Sequence, residues 1–180
     1  MLVRYLGTLI ALLCLAGSAA KADLKPVDCS ATPFVYSGQA LNVDCERSED
    51  YLRVDESSGS VRIDVITVSS NDRQIFFTMV SQLITAPRIY MEHRSLGESF
   101  HSVFEHAEAA EWKGVGNKSG YDIAEFTTDI SGQPSHCITV QRYTNAAFTG
   151  FKRHLIGMGC TIGDRQSVYD ILGKLAAPGD

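Results

Sequence analysis

The sequence lacks an excess of positive charge: 16 Lys and Arg face 21 Asp and Glu, a formal net charge of −5. Nucleic-acid binding rests on dense Lys and Arg that displace counterions from phosphates. An acidic chain therefore excludes a basic nucleic-acid binder as the default reading. Proline (5) and glycine (15) are too sparse among 180 residues for a collagen-like or linker chain. With 44% hydrophobic residues the chain is too apolar for disorder, and its length suits one domain.

Long hydrophobic runs are scarce too. The one run, Leu6–Ala16, lies in the first two dozen residues and falls short of the ~20 apolar residues a bilayer span needs. Met1–Ala22 instead has the layout of a secretory signal. Arg4 is in its n-region, Leu6–Ala16 is the apolar core, and Ala20-Lys21-Ala22 fits the small-x-small cleavage rule. Cleavage there leaves residues 23–180 as a single exported domain, with 14 Lys and Arg against 21 Asp and Glu and no integral membrane segment. The expected location is the periplasm or the exterior.

Catalytic and metal motifs are missing. H-E-x-x-H, G-x-S-x-G and C-x-x-C do not occur, which leaves zincin, serine-hydrolase and thioredoxin-like chemistry without sequence support. Gly114-Val115-Gly116-Asn117-Lys118-Ser119 resembles a phosphate loop, but Asn117 stands where a Walker motif needs Gly before Lys118. No catalytic residue, metal ligand or cofactor is assigned.

Four cysteines remain after the leader: Cys29, Cys45, Cys137 and Cys160. An even count in an exported chain favours disulfides, and the spacings lack the paired knuckles of a zinc site. Ser135–Thr144 and Phe151–Thr161 read as strands joined by a short loop. A hairpin centred between Phe148 and Thr149 sets Cys137 opposite Cys160, Thr139 opposite Met158 and Tyr143 opposite His154. That register predicts the bridges Cys29–Cys45 and Cys137–Cys160.

Tyr51–Asp55 and Val61–Val68 alternate like strands about Ser57-Ser58-Gly59, and Tyr121–Thr128 reads as a strand. Ile75, Phe76, Met79, Val80, Leu83 and Ile84 have the spacing of one helix face, with a buried strand as the alternative. Ser95-Leu96-Gly97-Glu98 has capping-box form and opens a helix striped by Phe100, Val103, Phe104 and Ala107. Val168, Ile171, Leu172 and Leu175 mark a last helix. The expected fold is α+β: a mostly antiparallel sheet packed by two or three helices and stapled by two disulfides.

Two constellations carry functional hints. The last hairpin concentrates Arg142, Lys152 and Arg153 with Tyr143, Phe148 and Phe151, whereas Asp44–Asp64 holds seven acids. Arg and aromatic side chains are enriched at binding hot spots. This predicts a binding module for the cell envelope or periplasm, whose tip meets a protein or an anionic envelope component. The alternative is a small extracytoplasmic hydrolase or metal-dependent enzyme, using His101, Glu105 and Glu108 on one helix face.

Overall fold

The computed structural model describes residues 23–177 apart from 39–40, 55–56, 73, 105–110, 131 and 148. The proposed leader and the candidates Glu105, Glu108, Ala107 and Phe148 lie outside the described residues.

The chain opens with β1 (Lys25–Pro26), a short 3-10 turn at Cys29–Ala31 and β2 (Val35–Tyr36). A first meander follows: β3 (Asn42–Val54), β4 (Ser57–Ser69) and β5 (Ile75–Ile84). Helix α1 (Leu96–Val103) lies in the crossing to a second meander: β6 (Glu111–Lys118), β7 (Tyr121–Ile130), β8 (Gln133–Ala147) and β9 (Gly150–Thr161). Helix α2 (Gln166–Lys174) and β10 (Leu175–Ala176) come last, and β10 pairs with β2. The two meanders join where β5 pairs with β9, giving one eight-stranded antiparallel sheet of order β1-β3-β4-β5-β9-β8-β7-β6.

The expectation of an α+β fold packed by two or three helices is corrected. Among the described residues the chain is mostly antiparallel sheet, with two short helices of 8 and 9 residues. The difference comes mainly from Ile75–Ile84, which is strand β5 and not a helix. β5 lies in the middle of the sheet, and both of its faces are covered. Phe77 and Met79 face α2, while Val80 and Ile84 face α1. A strand buried on both sides loses the polar–apolar alternation that marks a half-exposed one, so its apolar positions can mimic a helix stripe. Asp72 accepts from the Ser70 hydroxyl at 2.6 Å and from the Gln74 amide at 3.2 Å, shaping the β4–β5 turn.

The helices form where the capping and apolar spacing place them. The Ser95 hydroxyl accepts from the Glu98 amide at 3.3 Å, and the Glu98 carboxylate accepts from the Ser95 amide at 2.9 Å. This closed box satisfies two otherwise orphan donors of α1. Phe100 and Val103 of α1 then pack against Phe126 and Ile156 on one face of the sheet. Val168 and Ile171 of α2 pack with Phe77, Ile138 and Leu155 on the other.

Gly159 of β9 lies under α2, and Gly157 lies against Met79 and Phe77 of β5. A Cβ on Gly159 would stand 2.3 Å from a Phe77 ring carbon and 2.5 Å from a Val168 methyl. The helix sits this close to the strand because no side chain lies between them. The disulfide Cys137–Cys160 joins directly opposed residues of β8 and β9, Cα atoms 4.1 Å apart. The disulfide Cys29–Cys45 ties the N-terminal segment to β3. The register also opposes Thr139 to Met158 and Tyr143 to His154, as the short-loop hairpin predicts.

Gly159→Ala should destabilise the fold by about 1–3 kcal/mol through overpacking, read as a lower urea midpoint with an unchanged slope. An unchanged midpoint would mean that α2 does not sit against β9.

Candidate functional site

Strand alternation divides the residues that the sequence clusters at the tip. Arg142 and Arg153 lie in register rows of the face that carries α2, whereas Tyr143 and Lys152 lie on the face that carries α1. The Lys152 ammonium donates to the carbonyls of Ala86 and Ile89 and stands 4.0 Å from the Tyr90 ring centre. Burial lowers its pKa. Its charge fastens the segment after β5 to the hairpin. Phe151 exchanges two backbone hydrogen bonds with Met91, at 2.8 and 3.0 Å, and so fastens the same segment.

Tyr143 belongs to an aromatic stack. Its ring lies 4.3 Å from that of His154 in a near-parallel stack, and 4.8 Å from that of His93. Its hydroxyl accepts from the Arg94 amide at 3.2 Å. Gln141 reaches the same loop by donating to the Arg94 carbonyl at 3.1 Å. His154 is buried, and its Nε2 has no hydrogen-bond partner among the described residues. Burial first, then the charge of Arg94 and the nearby His93, push its pKa down from 6.5 to about 4. The imidazole is therefore neutral in the folded protein at pH 7, which suits a group stacked in an apolar layer.

The opposite face has another character. Cross-strand partners share a face, so the register writes out its rows. One row runs Glu49–Arg62–Leu83–Arg153–Thr144 across β3, β4, β5, β9 and β8. The next runs Arg47–Asp64–Ser81–Leu155–Arg142. Beyond these rows the same face turns apolar beneath α2, with Ile66, Met79 and Val140.

Asp64 is the keystone of the polar rows, with its side chain 1% exposed. One carboxylate oxygen takes the Arg47 Nε–H at 2.6 Å, and the other lies 3.1 Å from Arg62 Nε. Arg47 also donates to the Ala31 carbonyl at 2.6 Å, which ties the N-terminal turn to the sheet. Arg142 lies 4.5 Å from the Tyr121 ring centre. Arg153 has no carboxylate within ion-pair distance among the described residues. Its pKa is lowered, first by burial and then by repulsion from Arg62, with Asp64 acting the other way. The Glu49 carboxylate accepts from Ser60 at 2.7 Å. Among the described residues, the two register rows thus carry Arg47, Arg62, Arg142 and Arg153 with the carboxylates of Asp64 and Glu49.

Arg62 Nε and Asp64 Oδ2 face each other as an ion pair without a well-aligned hydrogen bond, and three further buried polar atoms in these rows, Ser81 Oγ, Thr144 Oγ1 and Arg153 Nε, have no hydrogen-bond partner among the described residues. Ser81 is 1% exposed. Buried polar groups in native proteins are nearly always paired, so three orphans on one face call for an explanation. The sequence places Arg142 and Arg153 here, but it does not single out Arg62, Asp64, Ser81 or Thr144. A signal was present in β4, whose α2-facing positions read Arg62, Asp64, Ile66, Val68. Charge gives way to hydrocarbon along one face, marking where the cover ends.

A cleft of about 180 Å³ lies near the start of α2, lined by Lys113, Glu125, His136, Arg165 and Tyr169 among others. Glu125 accepts from the Tyr169 hydroxyl at 2.7 Å and pairs with Arg165 at 3.5 Å. Burial and that hydrogen bond push the Tyr169 pKa up to about 12. With both carboxylate oxygens engaged, Glu125 acts as a strut between β7 and α2. His101 packs edge-on against Phe100, 5.7 Å between ring centres. Among the described residues no group of three or more His, Cys, Asp or Glu is placed to hold a metal ion.

No protein-family model, no curated protein and no solved structure matches the chain.

Two measurements check this geometry. An unfolded His154 takes up its proton near pH 6.5, whereas the folded one resists until about 4. Its contribution is therefore complete above pH 6.5 and is lost as pH falls toward 4, about 3 kcal/mol in all. Urea midpoints of the wild type should fall more steeply across that window than those of His154→Phe; parallel curves would contradict the burial. Asp64→Asn should cost about 3–5 kcal/mol, because it leaves Arg47 and Arg62 half-buried without their counter-charge. A loss under 1 kcal/mol in the same melts would show that Asp64 does not hold them.

Proposed function

We propose that this protein is an exported, disulfide-stapled binding module, periplasmic or secreted. It engages an anionic partner, a protein or an envelope component, through the arginine-bearing end of the face that carries α2. The observation that carries this reading is Arg153: a cation drawn partly out of water, facing a second arginine, with no carboxylate within ion-pair distance among the described residues and only the more distant Asp64 acting in its favour. Such a placement costs stability in the free protein, and a partner's negative charge offsets it. The overall acidity of the chain makes this local excess selective. Most of the surface repels an anionic partner and one face attracts it.

Two disulfides support an oxidising compartment. Among the described residues no helix is long and apolar enough to cross a membrane. Lys152 and Tyr143 hold the segment 86–94 in place, so the binding role narrows to the Arg142 and Arg153 side of the hairpin.

Crosslinking the exported protein in its own compartment, followed by mass identification, tests the reading. Arg142→Glu with Arg153→Glu should cut the adduct yield at least tenfold while both disulfides and the circular dichroism spectrum persist. Equal yield from the double variant and the wild type would refute it.

A further inference from the structure

We propose that Arg62, Ser81, Thr144 and Arg153 form a site for one oxyanion group, a carboxylate or a phosphate. This deepens the binding-module reading and rests on it for the face concerned. Arg62 and Arg153 occupy the same register row and are separated only by Leu83 on β5. Strands lie ~4.8 Å apart, so the two backbones stand ~10 Å apart, a span that two guanidinium groups close around a single anion. Arg62 is held from behind by Asp64, which also anchors Arg47, so its guanidinium is oriented before a ligand arrives.

The flanking hydroxyls complete the donor set. Thr144 is the direct cross-strand partner of Arg153, and Ser81 that of Asp64. Both hydroxyl oxygens are buried without a partner among the described residues, as is Arg153 Nε. A hydroxyl donates to an oxyanion, and an arginine Nε–H with a terminal N–H gives the two parallel donors that a carboxylate or phosphate edge accepts. A cation at this site would meet two arginines and be repelled. An uncharged apolar group would leave the same donors buried and unpaired. Leu83 lies between the two arginines in their row and Leu155 beside it in the next, giving the anion an apolar, low-dielectric surround in which each contact strengthens. The mutual repulsion of Arg62 and Arg153 is relieved when negative charge enters between them.

The test is a titration of the mature, isotope-labelled protein with inorganic phosphate, and separately with acetate, at constant ionic strength set by chloride. At least one of the two should shift the backbone amides of Arg62, Ser81, Thr144 and Arg153 saturably, and the comparison names the preferred oxyanion. Arg153→Gln should weaken binding at least tenfold. Ser81→Ala and Thr144→Val, which leave the charges in place, should weaken it about threefold each. Shifts that track ionic strength alone, or equal affinity in the wild type and Arg153→Gln, would overturn the proposal.

The two readings fail separately. If neither anion binds but the charge-reversed hairpin still loses its crosslinked adduct, the oxyanion site is refuted and the binding module stands. If an anion binds at these residues but charge reversal leaves the adduct unchanged, the site stands and the partner reading falls.

Discussion

The pairing of β5 with β9 is the constraint on which the rest depends. The two meanders are separated in the chain by α1 and its flanking segments, and this one antiparallel contact makes them a single sheet. It sets Phe77 against Gly159, which opens the space that α2 fills. It also carries Arg62 and Asp64 of the first meander to within two strands of Arg153 and three of Thr144 in the second. Fold and candidate site are consequences of the same register. A slip of one residue would turn Arg153 and Leu155 to the α1 face and send His154 under α2.

The face that carries α2 is built in two parts with different energetics. Beneath the helix it is hydrocarbon, and burial of side chains such as Phe77, Ile138 and Ile171 supplies stability. Toward the hairpin tip it becomes an arginine cluster around Asp64, where each buried polar atom needs a partner to offset its lost hydration. Asp64 stabilises Arg47 and Arg62, and through Arg47 it reaches the N-terminal turn that Cys29–Cys45 also holds. Arg153 lies outside that arrangement. A group that folding alone would replace with something apolar is best understood through what it binds.

Much of this was legible in local sequence. The loop between β8 and β9 is short, so its length fixed the register from Tyr143–His154 through Cys137–Cys160. The capping box at Ser95 announced α1, and the spacing of Val168 and Ile171 announced α2. Ile75–Ile84 was not legible as a strand because alternation records exposure on one face, and β5 has neither face exposed. The candidate site was half legible. Arg142 and Arg153 are neighbours of the hairpin turn and stand out by charge, but Lys152 and Tyr143 beside them serve the opposite face. Arg62, Ser81 and Asp64 join them only through long-range pairing, which no local pattern encodes.

The central claim is that Arg153 is retained for a ligand and not for the fold. The most direct measurement is the melting temperature of Arg153→Gln against the wild type, in dilute buffer free of phosphate and carboxylates. The account predicts that removing the uncompensated guanidinium raises the melting temperature by a few degrees, at ~2–4 °C per kcal/mol for a chain of this size. The gain should shrink as added chloride screens the repulsion from Arg62. A melting temperature that falls instead would make Arg153 a structural tie and contradict the account.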